Sequence, residues 1–165
     1  MLQDEQLLLA LVNSAPVIEG VPTDELQGAA GRKLARSWGG TGSADELARL
    51  RRVRRALQTV IRDGDAAAVG ELEGFLEGAV RTPRLTPDGV IWDLQVPEDD
   101  RLAAGAVLAW SSVITESPGR LRACANDECS QFLVDHSRPG TAKWCSMAVC
   151  GNRMKARSHA RRAKS

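Results

Sequence analysis

Apolar residues recur at helical spacing along most of the first part of the chain, and this pattern predicts helices. The first helix ends at Pro16 and carries its apolar stripe on Leu7, Leu8, Leu11 and Val12. A second helix is predicted to begin at Thr23, because the two acidic residues that follow favour a helix start, and to run to Trp38 before a pair of glycines.

The third helix has the clearest signature. The segment Ser43-Ala-Asp-Glu46 fits a capping box, in which the serine hydroxyl and the glutamate carboxylate satisfy each other's backbone N–H groups. One apolar face follows on Leu47, Leu50, Val53, Leu57, Val60 and Ile61. Gly64 is predicted to end this helix, and Asp65 to cap a fourth helix whose apolar positions are Leu72, Phe75 and Leu76.

The pattern then changes to a β-hairpin followed by one more helix. Arg81–Leu85 and Val90–Val96 flank a Thr-Pro-Asp-Gly turn, and the second run alternates as a strand does. The acidic residues 98–100 favour a new helix start. The most apolar stripe of the chain follows on Leu102, Ala106, Ala109, Trp110, Val113 and Ile114. We expect this helix to lie at the centre of the core and Trp38, Trp92 and Trp110 to be buried.

Composition fits an ordinary globular protein, with 43% hydrophobic and 26% charged residues among 165. The longest charge-free run has 14 residues, Leu102 to Thr115, and is shorter than the roughly 20 residues of a membrane-spanning helix. Acidic residues at positions 4 and 5 argue against a secretory signal. We therefore expect a cytoplasmic protein with no membrane partner.

The formal net charge of +1 combines two unlike parts of the chain. Residues 1–120 carry a net charge of −5 and residues 121–165 carry +6. The break at Ser117-Pro-Gly119 separates the two parts, so we predict a domain over residues 1–118 and a second one over 119–165. The basic second part indicates a polyanionic partner, although a solvated helix explains the composition equally well.

The four cysteines lie in the basic part and form two C-x4-C pairs, Cys124 with Cys129 and Cys145 with Cys150, separated by fifteen residues. In a reducing compartment such spacing favours a tetrahedral metal site over disulfides. One Zn²⁺ ion suits four thiolates best, and iron or an iron–sulfur cluster stays open as an alternative.

The segment between the pairs supports a metal module. Gln131–Asp135 and Thr141–Trp144 are predicted to be two short strands around a Ser-Arg-Pro-Gly turn, with Phe132 and Trp144 as the aromatics that cover the site. A module of some 45 residues has little core of its own, so metal binding would supply its folding free energy.

The second pair restricts the start of the last helix. Residues five apart on an α-helix lie about 140° from each other, so Cys145 must precede the helix and Cys150 lie in its first turns. Ser146 is the predicted N-cap. Gly151 indicates either close packing or a helix that begins only at Asn152.

The last helix carries a run of cations without an acid. Arg153, Arg157 and Arg161 follow at intervals of four and form one stripe. Lys155 and Arg162 lie on other faces, and Lys164 follows near the end of the chain.

The segments Cys124-Ala-Asn-Asp-Glu-Cys129 and Trp144-Cys-Ser-Met-Ala-Val-Cys-Gly-Asn-Arg153, with the basic run after them, resemble the CGNR zinc finger. The preceding part, with its Leu-rich helix ending in Val-Asn-Ser and its Trp38 segment, resembles the ABATE domain that precedes this finger in bacterial, especially actinobacterial, proteins. The resemblance implies a transcription regulator with zinc on the four cysteines and DNA bound by the finger and its tail. It assigns no catalytic residues.

The resulting hypothesis is an α+β protein, with a mainly helical ABATE-like domain containing one hairpin and a small treble-clef-like finger after it. The finger and its basic helix would bind duplex DNA through residues Arg153, Lys155, Arg157, Arg161, Arg162 and Lys164. The protein would be found at the nucleoid when bound to DNA, with a small-molecule effector on the first domain and a homodimer both left open.

Rival interpretations come from other classes of function. The finger could be a protein-interaction or dimerisation module, or its thiolates could sense oxidants. We expect no enzyme, because no catalytic or phosphate-binding signature is present. His136 and His159 are expected to lie outside a metal site that four thiolates already fill. The arginine-rich run 49–55 is expected to be a solvated face paired with Asp45, Glu46 and Asp63, with a second nucleic-acid patch as the alternative.

Overall fold

The computed structural model describes residues 2–163, and of Leu2 it describes the backbone alone. The predicted DNA contact Lys164 lies outside the described residues. The described helices are α1 (Leu2–Val12), α2 (Gly28–Ser37), α3 (Ala44–Asp63), α4 (Ala66–Gly74), α5 (Arg101–Glu116) and α6 (Asn152–Arg162). The described strands form antiparallel pairs: β1 (Val17–Ile18) with β2 (Val21–Pro22), β3 (Val80–Thr86) with β4 (Gly89–Gln95), and β5 (Leu121–Ala123) with β6 (Phe132–Val134). The predicted α+β architecture is confirmed.

Helix α5 lies at the centre of the core, as its apolar stripe predicted. It packs against α1 and α3, and its buried face consists largely of alanine, which lets the neighbouring helices approach closely. The core continues into the C-terminal segment, because Phe132 and Val134 of β6 are buried in the same cluster. Within the described residues the two predicted domains, 1–118 and 119–165, therefore contribute to one hydrophobic core, and the division into two domains stays a prediction.

The predicted start of the second helix is wrong. α2 begins at Gly28, and the residues predicted as its first turn form an irregular segment after the β1–β2 hairpin. There Asp24 accepts a hydrogen bond from the Leu26 N–H at 2.9 Å and an ion pair from Arg54 of α3 at 2.7 Å. Because the Asp24 carboxylate holds this turn, it does not stabilise a helix that begins at Thr23.

The capping residues of α3 behave partly as predicted. Ser43 accepts a hydrogen bond from the Glu46 N–H at 3.0 Å, and Gly64 ends the helix in the left-handed conformation. The Glu46 carboxylate, however, accepts from the Gly42 N–H at 2.7 Å, because the Ser43 N–H already donates to the hydroxyl of Thr41. Asp65 caps α4 as predicted, by accepting from Ala67 N–H, but α4 ends before the predicted Phe75 and Leu76.

The β3–β4 hairpin is confirmed, but the prediction that Trp92 is buried is wrong. Trp92 is 58% exposed and Leu85 is 82% exposed. The hairpin forms a sheet of its own and contacts α5 through β4. Among residues 2–163, the apolar side chains of Leu85, Val90, Ile91 and Trp92 stay exposed. Trp38 and Trp110 are half-buried against the core.

The arginine-rich run of α3 is a solvated face only in part, because Arg52 and Arg55 are exposed whereas Arg54 is buried. Its ion-pair partners differ from the predicted ones: Arg49 pairs with Asp100, Arg52 with Glu71 at 3.9 Å, and Arg54 with Asp24. Glu46 is unavailable as a partner because it is buried at the helix start, where it holds the preceding turn. The run therefore joins α3 to α4, to the turn directly before α5 and to the Asp24 turn.

Arg54 is the buried member of this run and is only 6% exposed. Its guanidinium donates to both carboxylate oxygens of Asp24 and to the buried hydroxyl of Ser14. The hydrogen bond from Arg54 holds the pKa of Asp24 below its ordinary value. This network fixes the chain after α1 against α3.

We expect Arg54→Met to lower the free energy of unfolding by about 2–3 kcal/mol, because Asp24 and Ser14 lose a buried partner while apolar volume is kept. The matched control is Arg55→Met, since Arg55 is exposed on the same helix and its loss should matter by less than about 0.5 kcal/mol. Denaturant unfolding followed by circular dichroism measures both. Equal losses in the two variants would refute a specific role of the buried network.

Candidate metal centre

The first cysteine pair lies in the turn of the β5–β6 hairpin. Cys124 follows β5 directly, and its N–H donates to the carbonyl of Gln131 at 2.8 Å, which continues the ladder of the hairpin. Cys129 closes a tight turn by donating its N–H to the Asn126 carbonyl at 2.8 Å. Both sulphur atoms are thus presented from one short, hydrogen-bonded loop.

The strand pairing predicted between residues 131–135 and 141–144 is wrong. β6 pairs with β5, and residues 141–144 are not a strand. The buried carboxylate of Asp135 explains this, because it accepts from the Ser137 N–H and hydroxyl and from the Ala142 N–H at 2.6–3.0 Å. The hydrogen bond from the Ser137 hydroxyl contributes most to lowering the pKa of Asp135. Together these bonds fold residues 135–142 into a compact loop.

The second cysteine pair lies at the start of the last helix. Cys145 precedes a π-helical turn, Met147–Gly151, which contains Cys150 and leads into α6. The predicted placement of the two cysteines is confirmed. Ser146 stands at the predicted position, but its hydroxyl makes no capping bond; its carbonyl accepts from the Gly151 N–H at 2.9 Å.

Gly151 shows both properties that its position suggested. A Cβ atom there would lie 2.7 Å from the sulphur of Met147 and 3.3 Å from the ring of Trp144, so Gly151 is closely packed, although the exposed Met147 side chain could move aside for a larger residue. The regular α-helix also begins only at Asn152. Trp144 therefore packs at the base of the helix, next to the second cysteine pair.

The four sulphur atoms, from Cys124, Cys129, Cys145 and Cys150, all lie within 4.8 Å of one another. The Cys145 sulphur is 3.7 Å from those of Cys129 and Cys150. A tetrahedral zinc ion with Zn–S bonds of about 2.3 Å requires sulphurs about 3.8 Å apart. The donor set and its spacing therefore fit one tetrahedral, thiolate-bound ion.

Protein amides also point at the sulphur atoms. The Cys145 N–H donates to the Cys124 sulphur at 3.4 Å, and the buried Asn126 side chain donates to the Cys150 sulphur at 3.5 Å. Such donors stabilise thiolates and orient them as metal ligands. Asn126 was not predicted from the sequence, although an amide residue inside a C-x4-C turn is a usable signal.

The thiols strongly influence one another. Burial raises the pKa values of Cys129 and Cys145, and the neighbouring sulphurs raise that of Cys145 further. Burial also acts to raise the pKa of Cys150, but hydrogen bonds from Asn126 and from the other cysteines outweigh it and lower the value. Four thiolates this close repel one another, and a divalent cation removes that repulsion.

The metal module is clamped to the helical part of the chain. The Asn13 side chain, just after α1, accepts from the Phe132 N–H at 2.7 Å and donates to the Phe132 carbonyl at 3.1 Å, as a neighbouring strand would. Ser130 and Gln131 donate to the Ala15 and Asn13 carbonyls. Contrary to prediction, Phe132 covers no metal site; it is buried in the main core beneath the Arg62 guanidinium.

The remaining predicted site residues lie on or near α6. Arg153, Lys155, Arg161 and Arg162 are exposed on this helix. Arg157 forms an ion pair with Glu128 of the first cysteine turn at 2.6 Å, a contact that the sequence pattern did not predict. His159 is exposed on the same helix, and His136 lies away from the cysteines, with its Nε2 2.7 Å from a Glu5 oxygen.

Four convergent thiols between a β-hairpin and a basic helix define the C-terminal part as a zinc finger. Comparison with family models identifies it as the CGNR zinc finger, matched over residues 120–163. Residues 5–117 match the ABATE model, whose description is "Putative stress-induced transcription regulator". The chain belongs to the ABATE family, with a CGNR zinc finger after the ABATE domain. A comparison with curated proteins finds no match, and among the described residues no helix is long and apolar enough to span a membrane.

We expect Asn13→Ala to lower the free energy of unfolding by about 2 kcal/mol, because the Phe132 N–H loses its acceptor at a part-buried position. Asn152→Ala is the matched control, since the Asn152 amide is exposed and donates to the Ala148 carbonyl at the surface, so its loss should matter by less than about 0.5 kcal/mol. Denaturant unfolding with metal saturated measures both. If the alanine variant is as stable as the wild type, the clamp between the two parts does not contribute to folding.

Proposed function

We propose that the chain is a cytoplasmic, non-enzymatic transcription regulator that binds one Zn²⁺ through Cys124, Cys129, Cys145 and Cys150 and binds duplex DNA through α6. One observation carries the proposal: a helix with five described cations and no acid leads directly out of a four-sulphur cluster of tetrahedral dimensions. Membership in a family described as stress-induced transcription regulators supports the same conclusion.

Zinc would supply structural chemistry here. With all four ligands from the protein, a bound Zn²⁺ has no open position and would hold the hairpin turn against the start of the last helix. The finger has few buried apolar side chains of its own outside the main core. The bound ion would therefore be the link that fixes the direction in which α6 leaves the finger.

The basic helix would contribute electrostatic affinity for DNA. Arginine and lysine side chains on its exposed faces can contact phosphates, and arginine at the stripe positions 153, 157 and 161 can also reach guanine edges in a major groove. The ion pair of Arg157 with Glu128 is exposed on both sides. Breaking such a pair costs about 0–1 kcal/mol, so Arg157 can exchange it for a phosphate.

The described structure gives the predicted small-molecule effector little enclosed space. The apolar cavity between α1, α2, α3 and α5, next to Trp38, holds about 20 Å³, roughly enough for one water molecule. A larger cleft of about 210 Å³ is lined by Arg52, Phe75 and Asp100, and ion pairs already occupy the charged groups of Arg52 and Asp100. The effector therefore stays a prediction without an assigned site.

We expect the purified chain to contain one zinc ion per molecule, measured by elemental analysis, and Cys150→Ser to lose it on dialysis, because three thiolates hold a tetrahedral ion less tightly than four. Ser146→Ala is the matched control: Ser146 lies beside Cys145 and its hydroxyl caps nothing, so metal content should be unchanged. Iron with inorganic sulfide in place of zinc would contradict the assignment, and so would a metal-free folded chain.

We expect affinity for duplex DNA to fall with salt, with a log–log slope of about −0.9 per phosphate contact. Arg153→Gln and Arg161→Gln should each reduce the magnitude of the slope by about 0.9, as measured by fluorescence anisotropy between low and moderate salt. Glu128→Gln should tighten binding, by up to about fivefold, because it releases Arg157 and removes a negative charge near the DNA.

Arg55→Gln is the control for this series, because Arg55 is exposed on α3, outside the finger. Its slope should equal that of the wild type. A reduced slope would instead reveal a second nucleic-acid patch on the arginine-rich run. Binding that does not depend on salt, or that is absent with zinc bound, would contradict the proposed function.

A further inference from the structure

The β3–β4 hairpin exposes apolar side chains that the proposed function does not use. Along one of its faces lie Pro83, Leu85, Val90 and Trp92, all exposed, with Leu85 opposite Val90 and Pro83 opposite Trp92. A sheet of two strands is marginally stable in water and gains stability from a further strand. Within the described residues, neither β3 nor β4 pairs with a third strand.

The outer edges of β3 and β4 differ in the backbone hydrogen-bonding groups that they expose. Pro83 has no N–H, so its pair with Trp92 cannot be one of the hydrogen-bonded pairs of the ladder. Hydrogen-bonded and non-hydrogen-bonded pairs alternate along the ladder, so the N–H and C=O groups of Val90 and Trp92 point away from β3, toward the outer edge of β4. On the outer edge of β3, Pro83 offers no N–H group to a further strand. The β3 edge is therefore blocked, and the β4 edge is open.

The open edge lacks the usual protection against pairing. β4 contains neither lysine nor proline, and its one charged side chain, Asp93, is held by Arg84 of the same hairpin at 2.8 Å. Residues 89–92 are exposed. This edge is available to another strand.

We propose that this strand is β4 of a second copy of the chain, antiparallel and related by a two-fold axis at Ile91. In this register Val90 lies opposite the partner's Trp92, Ile91 lies opposite itself, and Gly89 lies opposite the partner's Asp93. The pairing joins aromatic with β-branched side chains and opposes no like charges, which is the favourable pattern for cross-strand neighbours. The edge is thus self-complementary, as a two-fold interface requires, and a continuous four-stranded sheet results.

Sedimentation velocity and light scattering on the zinc-loaded full-length chain test this pairing. The wild type should dimerise, whereas Ile91→Lys and Ile91→Glu should each weaken the dimer by about tenfold or more, because like charges meet at the two-fold axis. An equimolar mixture of the two variants should form a heterodimer with restored affinity. Ile91 is 39% exposed, so both variants are expected to fold, and circular dichroism with metal analysis verifies this.

Leu85→Lys is the matched control, because Leu85 lies on the apolar face with Val90 and Trp92 but belongs to β3, away from the paired β4 edges. It should leave the dimer intact. A dimer that Leu85→Lys disrupts as strongly as Ile91→Lys would show face-to-face packing and overturn the proposal. A wild type that stays monomeric at all concentrations, or a mixture of variants that does not associate, would overturn it too. None of these results depends on DNA binding.

Discussion

The structure of the C-terminal part depends on one constraint: four sulphur atoms must converge within 4.8 Å of one another. Two short turns meet this constraint, one in a β-hairpin and one at the start of a helix, and each supplies two cysteines. Without a cation, the half-buried thiols of Cys129 and Cys145 resist ionisation, because desolvation raises their pKa values. The hydrogen bonds from the Cys145 amide and from Asn126 then matter as much as the spacing, because they favour the thiolate form that a metal requires.

The finger needs a second support, which the ABATE domain provides. β6 places Phe132 and Val134 in the core that α5 organises, and Asn13 completes the hydrogen bonding of Phe132 as a neighbouring strand would. The same loop after α1 is held to α3 by the contact of Arg54 with Ser14. A continuous set of contacts thus runs from the helical core to residues 130–132, directly after Cys129, so the position of the four-cysteine cluster is tied to the packing of the helices.

Local patterns in the sequence predicted what local chemistry determines. The apolar stripe of α5, the Ser43 and Asp65 caps, the β3–β4 hairpin and the convergence of both cysteine pairs follow from spacing and residue type alone. The errors arose where a distant partner changed the role of a residue. Asp24 does not start a helix, because Arg54, thirty residues later in the chain, binds it. β6 pairs with the preceding strand β5, because Asp135 folds the residues that follow β6 into a loop. Glu128 and Asn126 gained roles that appear only when the second cysteine turn lies beside the first.

The charges along the final helical segment agree with the proposed metal and with the proposed DNA contact. The segment from Met147 to Arg162 begins at the sulphur cluster, where a Zn²⁺ ion with four thiolates would carry a net charge of −2 next to the positive end of the helix dipole. Its other end carries Arg161 and Arg162, where cations stabilise the negative end. Two of the three acidic residues of the finger pair with cations: Asp135 with Arg120 and Arg122, and Glu128 with Arg157. Residues 121–165 carry a net charge of +6, and five of their cations lie on α6 beyond the sulphur cluster, so a bound zinc ion with its thiolates and these cations would stabilise the same helix from opposite ends.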